Sequence, residues 1–154
     1  MTTSQISNCM PSLISITANA SVPAGNNASY GSYASAYVID VSNVNSSGSI
    51  TNTGSISASA VADSAYAYGI YTYNLNGSIT NTGTISAKAT ALNSYASDYG
   101  IDAYTVNGTI TNSGNIVAKV SGGSASASNY AFGILTYNLN GIINNSGTIS
   151  YTAA

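Results

Sequence analysis

Outside its tyrosines and two methionines, the chain has seven side chains able to do acid–base, metal or redox chemistry: Asp40, Asp63, Asp98, Asp102, Lys88, Lys119 and Cys9. Glutamate, arginine and histidine are absent. Two carboxylates flanking a sugar would be the signature of glycoside hydrolysis. Asp40 and Asp102 fall at equivalent places in a repeated pattern, with Tyr71 at the place between them. Two strand spacings would set them roughly 9.6 Å apart, within the loose range of an inverting pair. No arginine or histidine stands ready to hold a sugar acid or tune a pKa. The four aspartates therefore read as solvated surface groups and the chain as a non-enzyme. Transition-metal binding lacks ligands. A calcium site could draw on carbonyls with Asp98 or Asp102, but no Gly-Gly-x-Gly-x-Asp repeat accompanies them. No cofactor is expected. Cys9 has no internal disulfide partner and reads as an unpaired small residue, with an intermolecular bridge as the alternative. Two lysines cannot make the basic patch that nucleic acid requires.

The elements that must position these groups are repeats. Gly77 to Ile85 (Gly-Ser-Ile-Thr-Asn-Thr-Gly-Thr-Ile) recurs from Gly48, from Gly108 and, more weakly, from Gly141, at intervals of 29, 31 and 33 residues. A second phrase travels with it: Tyr68-Gly69-Ile70, Tyr99-Gly100-Ile101 and Phe132-Gly133-Ile134. Such self-similarity predicts stacked units rather than one globule. Charged residues make up 4% of the chain, yet 13 tyrosines and repeated isoleucines argue against disorder.

Within each unit the anchors alternate. Tyr73, Leu75, Gly77, Ile79, Asn81, Gly83, Ile85, Ala87 and Ala89 share one parity, which predicts strands with this set facing inward. Ser46-Ser47 is a two-residue insertion, which leaves later side chains facing as before. Stacking the units predicts ladders: Ile50, Ile79, Ile110 and Ile143; Ile56, Ile85, Ile116 and Ile149; Tyr73, Tyr104 and Tyr137. Asn52, Asn81, Asn112 and Asn145 should form an amide ladder at a corner, satisfied by stacking. The glycine after each of these asparagines is expected to supply a positive φ.

The expected fold is an all-β, right-handed parallel β-helix of about four to five coils. Residues 1–47 form an imperfect N-terminal coil or cap, and residues 48–76, 77–107 and 108–140 form regular coils. Residues 141–154 form a C-terminal half-coil. Ile16-Thr17-Ala18-Asn19-Ala20 aligns with Ile56-Ser57-Ala58-Ser59-Ala60, and Ala36-Tyr37-Val38-Ile39 with Ala67-Tyr68-Gly69-Ile70. Pro11 and Pro23 suit the irregular first segment. Length varies at Asp63 to Ala65, Leu92 to Asp98 and Gly122 to Asn129, read as loops on one side.

The phrases Gly-Ser-Ile-Thr-Asn-Thr-Gly-Thr-Ile-Ser-Ala and Tyr-Gly-Ile-x-x-Tyr-x-Leu-Asn-Gly resemble repeats in passenger domains of bacterial autotransporter-type adhesins, over roughly residues 36 to 154. The resemblance implies a parallel β-helix on a cell surface. The C-terminal membrane barrel of such proteins is not seen, so the chain reads as a stand-alone subunit or as an excerpt of a longer passenger.

No positively charged leader precedes the apolar run Leu13 to Ile16, and no run approaches the roughly 20 residues of a membrane span. The low charge and the Tyr/Ser/Thr/Asn surface point to an extracellular setting without membrane insertion. The expected function is structural: an uncharged C-terminal half-coil, Gly141 to Ala154, keeps the repeat pattern and accepts the N-terminal coil of another copy, head-to-tail into a filament with sides suited to cell surfaces or polysaccharide. The contact is expected between Ile143, Asn145, Ile149 and Tyr151 of one copy and Ile6, Ile14 and Ile16 of the next. A rival is ice binding by the outward ranks Thr51-x-Thr53, Thr80-x-Thr82 and Thr111-x-Ser113. Asn-x-Ser/Thr triplets at Asn19, Asn27, Asn45, Asn76, Asn107 and Asn144 are explained by turn chemistry.

Overall fold

A computed structural model of the chain describes residues 15–21, 32–122 and 129–154. The described residues form thirteen strands and no helix. In order they are β1 (Ser15–Ser21), β2 (Tyr33–Val44), β3 (Ser49–Asn52), β4 (Ser55–Ala62), β5 (Ser64–Leu75), β6 (Ser78–Asn81) and β7 (Thr84–Ala91). There follow β8 (Ala96–Val106), β9 (Thr109–Asn112), β10 (Asn115–Gly122), β11 (Tyr130–Leu139), β12 (Ile142–Asn145) and β13 (Thr148–Ala153). They stack into three parallel sheets, ordered β1-β4-β7-β10-β13, β2-β5-β8-β11 and β3-β6-β9-β12. The architecture is a β-solenoid, and each turn of chain adds one strand to each sheet.

The register follows the repeated phrases residue for residue. Ile16 pairs with Ile56 and Ala20 with Ala60. Ala36 pairs with Ala67 and Tyr37 with Tyr68. Ile50, Ile79, Ile110 and Ile143 lie in one column. Two apolar clusters fill the interior, one of large aliphatic side chains and one mainly of alanine. Burial of each isoleucine contributes about 1.5–3 kcal/mol, and a lone turn could bury none of them. Coil-to-coil bonding continues through the corners: Thr84 N–H donates to Gly54 C=O at 2.8 Å, and Asn115 N–H to Gly83 C=O at 2.8 Å.

Three expectations need correction. First, Tyr73, Tyr104 and Tyr137 form a ladder, but on the outside. They are 49%, 38% and 63% exposed. Along β5 the buried positions run Ala65, Ala67, Gly69, then Ile70, Thr72, then Leu75. The pairing with β8 skips Gly69 and Tyr73, so the strand bends twice and each bend resets which parity faces inward. Second, the corner glycines do not use positive φ; among the described residues only Gly122 has it, at 87°. They are required by close approach instead. A Cβ on Gly77, Gly83, Gly108 or Gly114 would fall inside contact distance of the carbonyl oxygen of the glycine one coil below. Third, two of the expected loops are shorter than predicted. Ala65 belongs to β5 and Ala96–Asp98 to β8, and only Asp63 and residues 92–95 connect strands there. Most of Gly122 to Asn129 lies outside the described residues.

Candidate assembly edge

Parallel strands leave an open edge at each end of a stack. β11, β12 and β13 are the last members of their sheets, so three edges lie together at one end. Ile143 and Asn145 sit on β12, Ile149 and Tyr151 on β13. Burial falls away at this end. Ile149 is half-buried where its column mates Ile56, Ile85 and Ile116 are buried, and Tyr151 is 72% exposed. Sequence reasoning missed Leu139 and Ile142, which are also exposed here, and Phe132 and Ile134. Ala131, Phe132, Gly133, Ile134, Ile149 and Tyr151 line an apolar recess of about 460 Å³, where the interior opens. For Ile134 and Leu139 the signal was present, since they are the last members of columns whose earlier members are core; Ile142 follows Ser49, Ser78 and Thr109, and Phe132 follows three tyrosines, so neither column announced it. Residues 129–154 carry no charge, and a lysine or proline that would discourage edge pairing is absent from them.

Ile16 lies on β1, at the opposite end of the five-stranded sheet from β13. Ile6 and Ile14 lie outside the described residues.

The asparagine column gives this end a chemical direction. Asn52 Nδ2 donates to Asn81 Oδ1, Asn81 Nδ2 to Asn112 Oδ1 and Asn112 Nδ2 to Asn145 Oδ1, each at 2.7 Å. The same nitrogens reach backbone carbonyls: Asn81 Nδ2 donates to Gly83 O and Asn112 Nδ2 to Gly114 O, both at 3.3 Å. A carbonyl only accepts, so these amides cannot be turned round. Asn145 Nδ2 donates to Gly147 O at 3.2 Å. Its second hydrogen faces the position where each lower coil finds the next Oδ1. The open end thus presents a donor.

The outward threonines Thr51, Thr80 and Thr111 align in register and give way to Asn144. They occupy the four-residue strands, a narrow face bounded by glycine corners.

The aspartates depart from expectation. Asp40 is exposed, but Asp63, Asp98 and Asp102 are buried. Asp98 takes the place of alanine in the column Ala36, Ala67, Asp98, Ala131 and is 0% exposed. Neither carboxyl oxygen has a hydrogen-bond partner. Burial pushes its pKa up to about 7, offset only in part by the nearby backbone amides of Lys119 and Ala89. Asp102, between Tyr71 and Leu135 in its column, is pushed up to about 6 by burial. Asp63 is held below the usual range, because the Ser32 amide, the Asn93 side chain and the Ser32 hydroxyl all donate to it. Asp40 and Asp102 share a column two coils apart, but one faces water and the other is shielded. Lys88 and Lys119 are neighbours in register on the outer side of β7 and β10.

Compared with protein-family models, with curated proteins and with solved structures, the chain matches none. Its assignable class is therefore the one its coordinates define, a parallel β-solenoid.

Proposed function

We propose that this chain is a non-enzymatic structural subunit that adds head-to-tail to copies of itself, building an extracellular or cell-surface β-solenoid fibre with adhesive sides. The observation that carries the reading is the end formed by β11, β12 and β13: three adjacent strand edges, exposed apolar column ends and no charge. Strand addition would cover those edges with main-chain bonds. The Asn145 donor favours polar growth. Two such ends face to face would set donor against donor, whereas an added coil of the same kind offers an Oδ1 acceptor. Contact that does not close on itself gives a filament. The resemblance to adhesin passenger repeats supports a surface location, and it also favours a second reading, in which this end continues into further coils of a longer passenger.

Electron microscopy and sedimentation of the purified chain over a range of concentration test the proposal. Fibres are expected, with a subunit rise of about 20–24 Å for four to five stacked strands. Ile149→Lys, which puts a charge on the open edge, should abolish them while the strand circular dichroism is kept. A monodisperse monomer at every concentration overturns the self-assembly reading and leaves the longer passenger. Ice shaping by that monomer on a cold stage would assign the function to the threonine rank instead.

A further inference from the structure

The outer tyrosine column has a geometry that neither the core nor the open end requires. Tyr73 and Tyr104 stack with ring centroids 4.9 Å apart and planes within 10°. Tyr104 and Tyr137 follow at 4.9 Å and 31°. Residues on both sides of each ring are locked in register: Thr72 with Ala103 and Asn74 with Thr105, then Ala103 with Thr136 and Thr105 with Asn138. The rings therefore cannot drift apart, and all three reach solvent. We propose that Tyr73, Tyr104 and Tyr137 form an oxidative cross-linking site, in which a one-electron oxidant of the haem-peroxidase class, working with hydrogen peroxide, joins neighbouring coils through dityrosine.

The chemistry balances. Each of two neighbouring phenols gives up one electron and its hydroxyl proton, leaving two phenoxyl radicals. The radicals couple at ring carbons ortho to the oxygens, forming one C–C bond. The hydrogens on those carbons then move to the oxygens, restoring both rings. Hydrogen peroxide takes the two electrons and two protons and leaves as two waters. Holding the rings together turns an encounter of two radicals into a reaction within one scaffold.

The second column, Tyr37, Tyr68, Tyr99 and Phe132, is also stacked but suits this reaction less well. Burial raises the pKa of all three phenols, which opposes proton loss, and Phe132 cannot form a phenoxyl. The reactive column also stays within one molecule. Val41 and Asn43 pair with Thr72 and Asn74, so Ser42 stands opposite Tyr73 and the column begins there. The site therefore holds whether or not copies add end to end.

The test treats the folded chain with a haem peroxidase and hydrogen peroxide, then combines denaturing electrophoresis, dityrosine fluorescence and mass spectrometry of digested peptides. Expected are a monomeric product and cross-linked peptides joining Tyr73 to Tyr104 and Tyr104 to Tyr137, each lighter by two hydrogens. Tyr104→Phe keeps the ring in the stack and removes the phenol, so both peptides should be lost. Absence of both from the wild type overturns the proposal. So does undiminished coupling in Tyr104→Phe, or an equal yield of the same two peptides from chain unfolded in guanidinium.

Discussion

Replacing Asp98 with alanine should stabilise this protein, and the gain should depend on pH. Asp98 occupies an alanine column in the interior with both carboxyl oxygens unpartnered. Its pKa rises from 3.8 to about 7 on folding. A raised carboxyl pKa means that the fold prefers the neutral form, so folding takes up a proton between those two values. Above pH 7 the folded state carries the full penalty. As pH falls from 7 towards 3.8 the penalty shrinks, and below 3.8 both states are protonated and it is gone. The shift corresponds to about 4 kcal/mol at full value, and about 2–4 kcal/mol with allowance for partial solvent screening. Asp98→Ala removes the carboxyl and restores the local pattern. Denaturant unfolding of both proteins between pH 3 and 9 measures it. The variant should be more stable by about 2–4 kcal/mol at pH 8, with the difference narrowing as pH falls from 7 towards 3.8. Asp102, raised to about 6, contributes a slope of the same sign in both proteins, so it cancels in the difference. A difference that is flat with pH, or a variant no more stable than wild type at pH 8, would refute the reasoning.

Further outcomes follow from the ladders. Asn112→Leu removes the acceptor of the buried Asn81 amide and the donor to the exposed Asn145 oxygen, so it should cost about 1–3 kcal/mol for the one buried group left short of a partner, read by denaturant unfolding. Gly83→Ala should abolish the strand circular dichroism, because its Cβ would meet the Gly54 carbonyl. Gly48→Ala should keep it, since the nearest atom there lies at 3.2 Å. Ile110→Ala opens a cavity at a fully buried position and should cost about 2–5 kcal/mol in the same assay. Asp63, held low by its hydrogen bonds, contributes stability that is present above its ordinary range and lost as pH falls through its lowered pKa. Asp63→Asn should therefore flatten the most acidic limb of the wild-type stability curve.

Stacking order was legible because the same phrases return. Parallel in-register pairing is the arrangement that places like on like, so aligning Ile16 with Ile56 or Tyr37 with Tyr68 by eye was already assigning hydrogen-bonded neighbours. The asparagine ladder followed from the same identity, since an inward amide is tolerable only beside another. Side-chain facing was legible only along straight stretches. Parity predicted Leu75 through Ala89 correctly but failed at Tyr73, because two bends in β5 each shift the inward set by one residue. Asp98 is hidden in the same way: the length variation there predicts a loop, whereas β8 begins early enough to carry Asp98 into the alanine column. The glycines were seen as necessary for a reason that the coordinates change. Their constraint is the distance to the coil below, which no single coil's dihedral preferences reveal.

Repetition by itself therefore fixed which residues stack on which, because register is a matter of sequence identity between coils. Which of those stacks face the core, and how far burial falls away at the last coil, was decided by the tertiary structure. Both depend on where the chain bends and on what the next coil covers, and neither is a property of one coil.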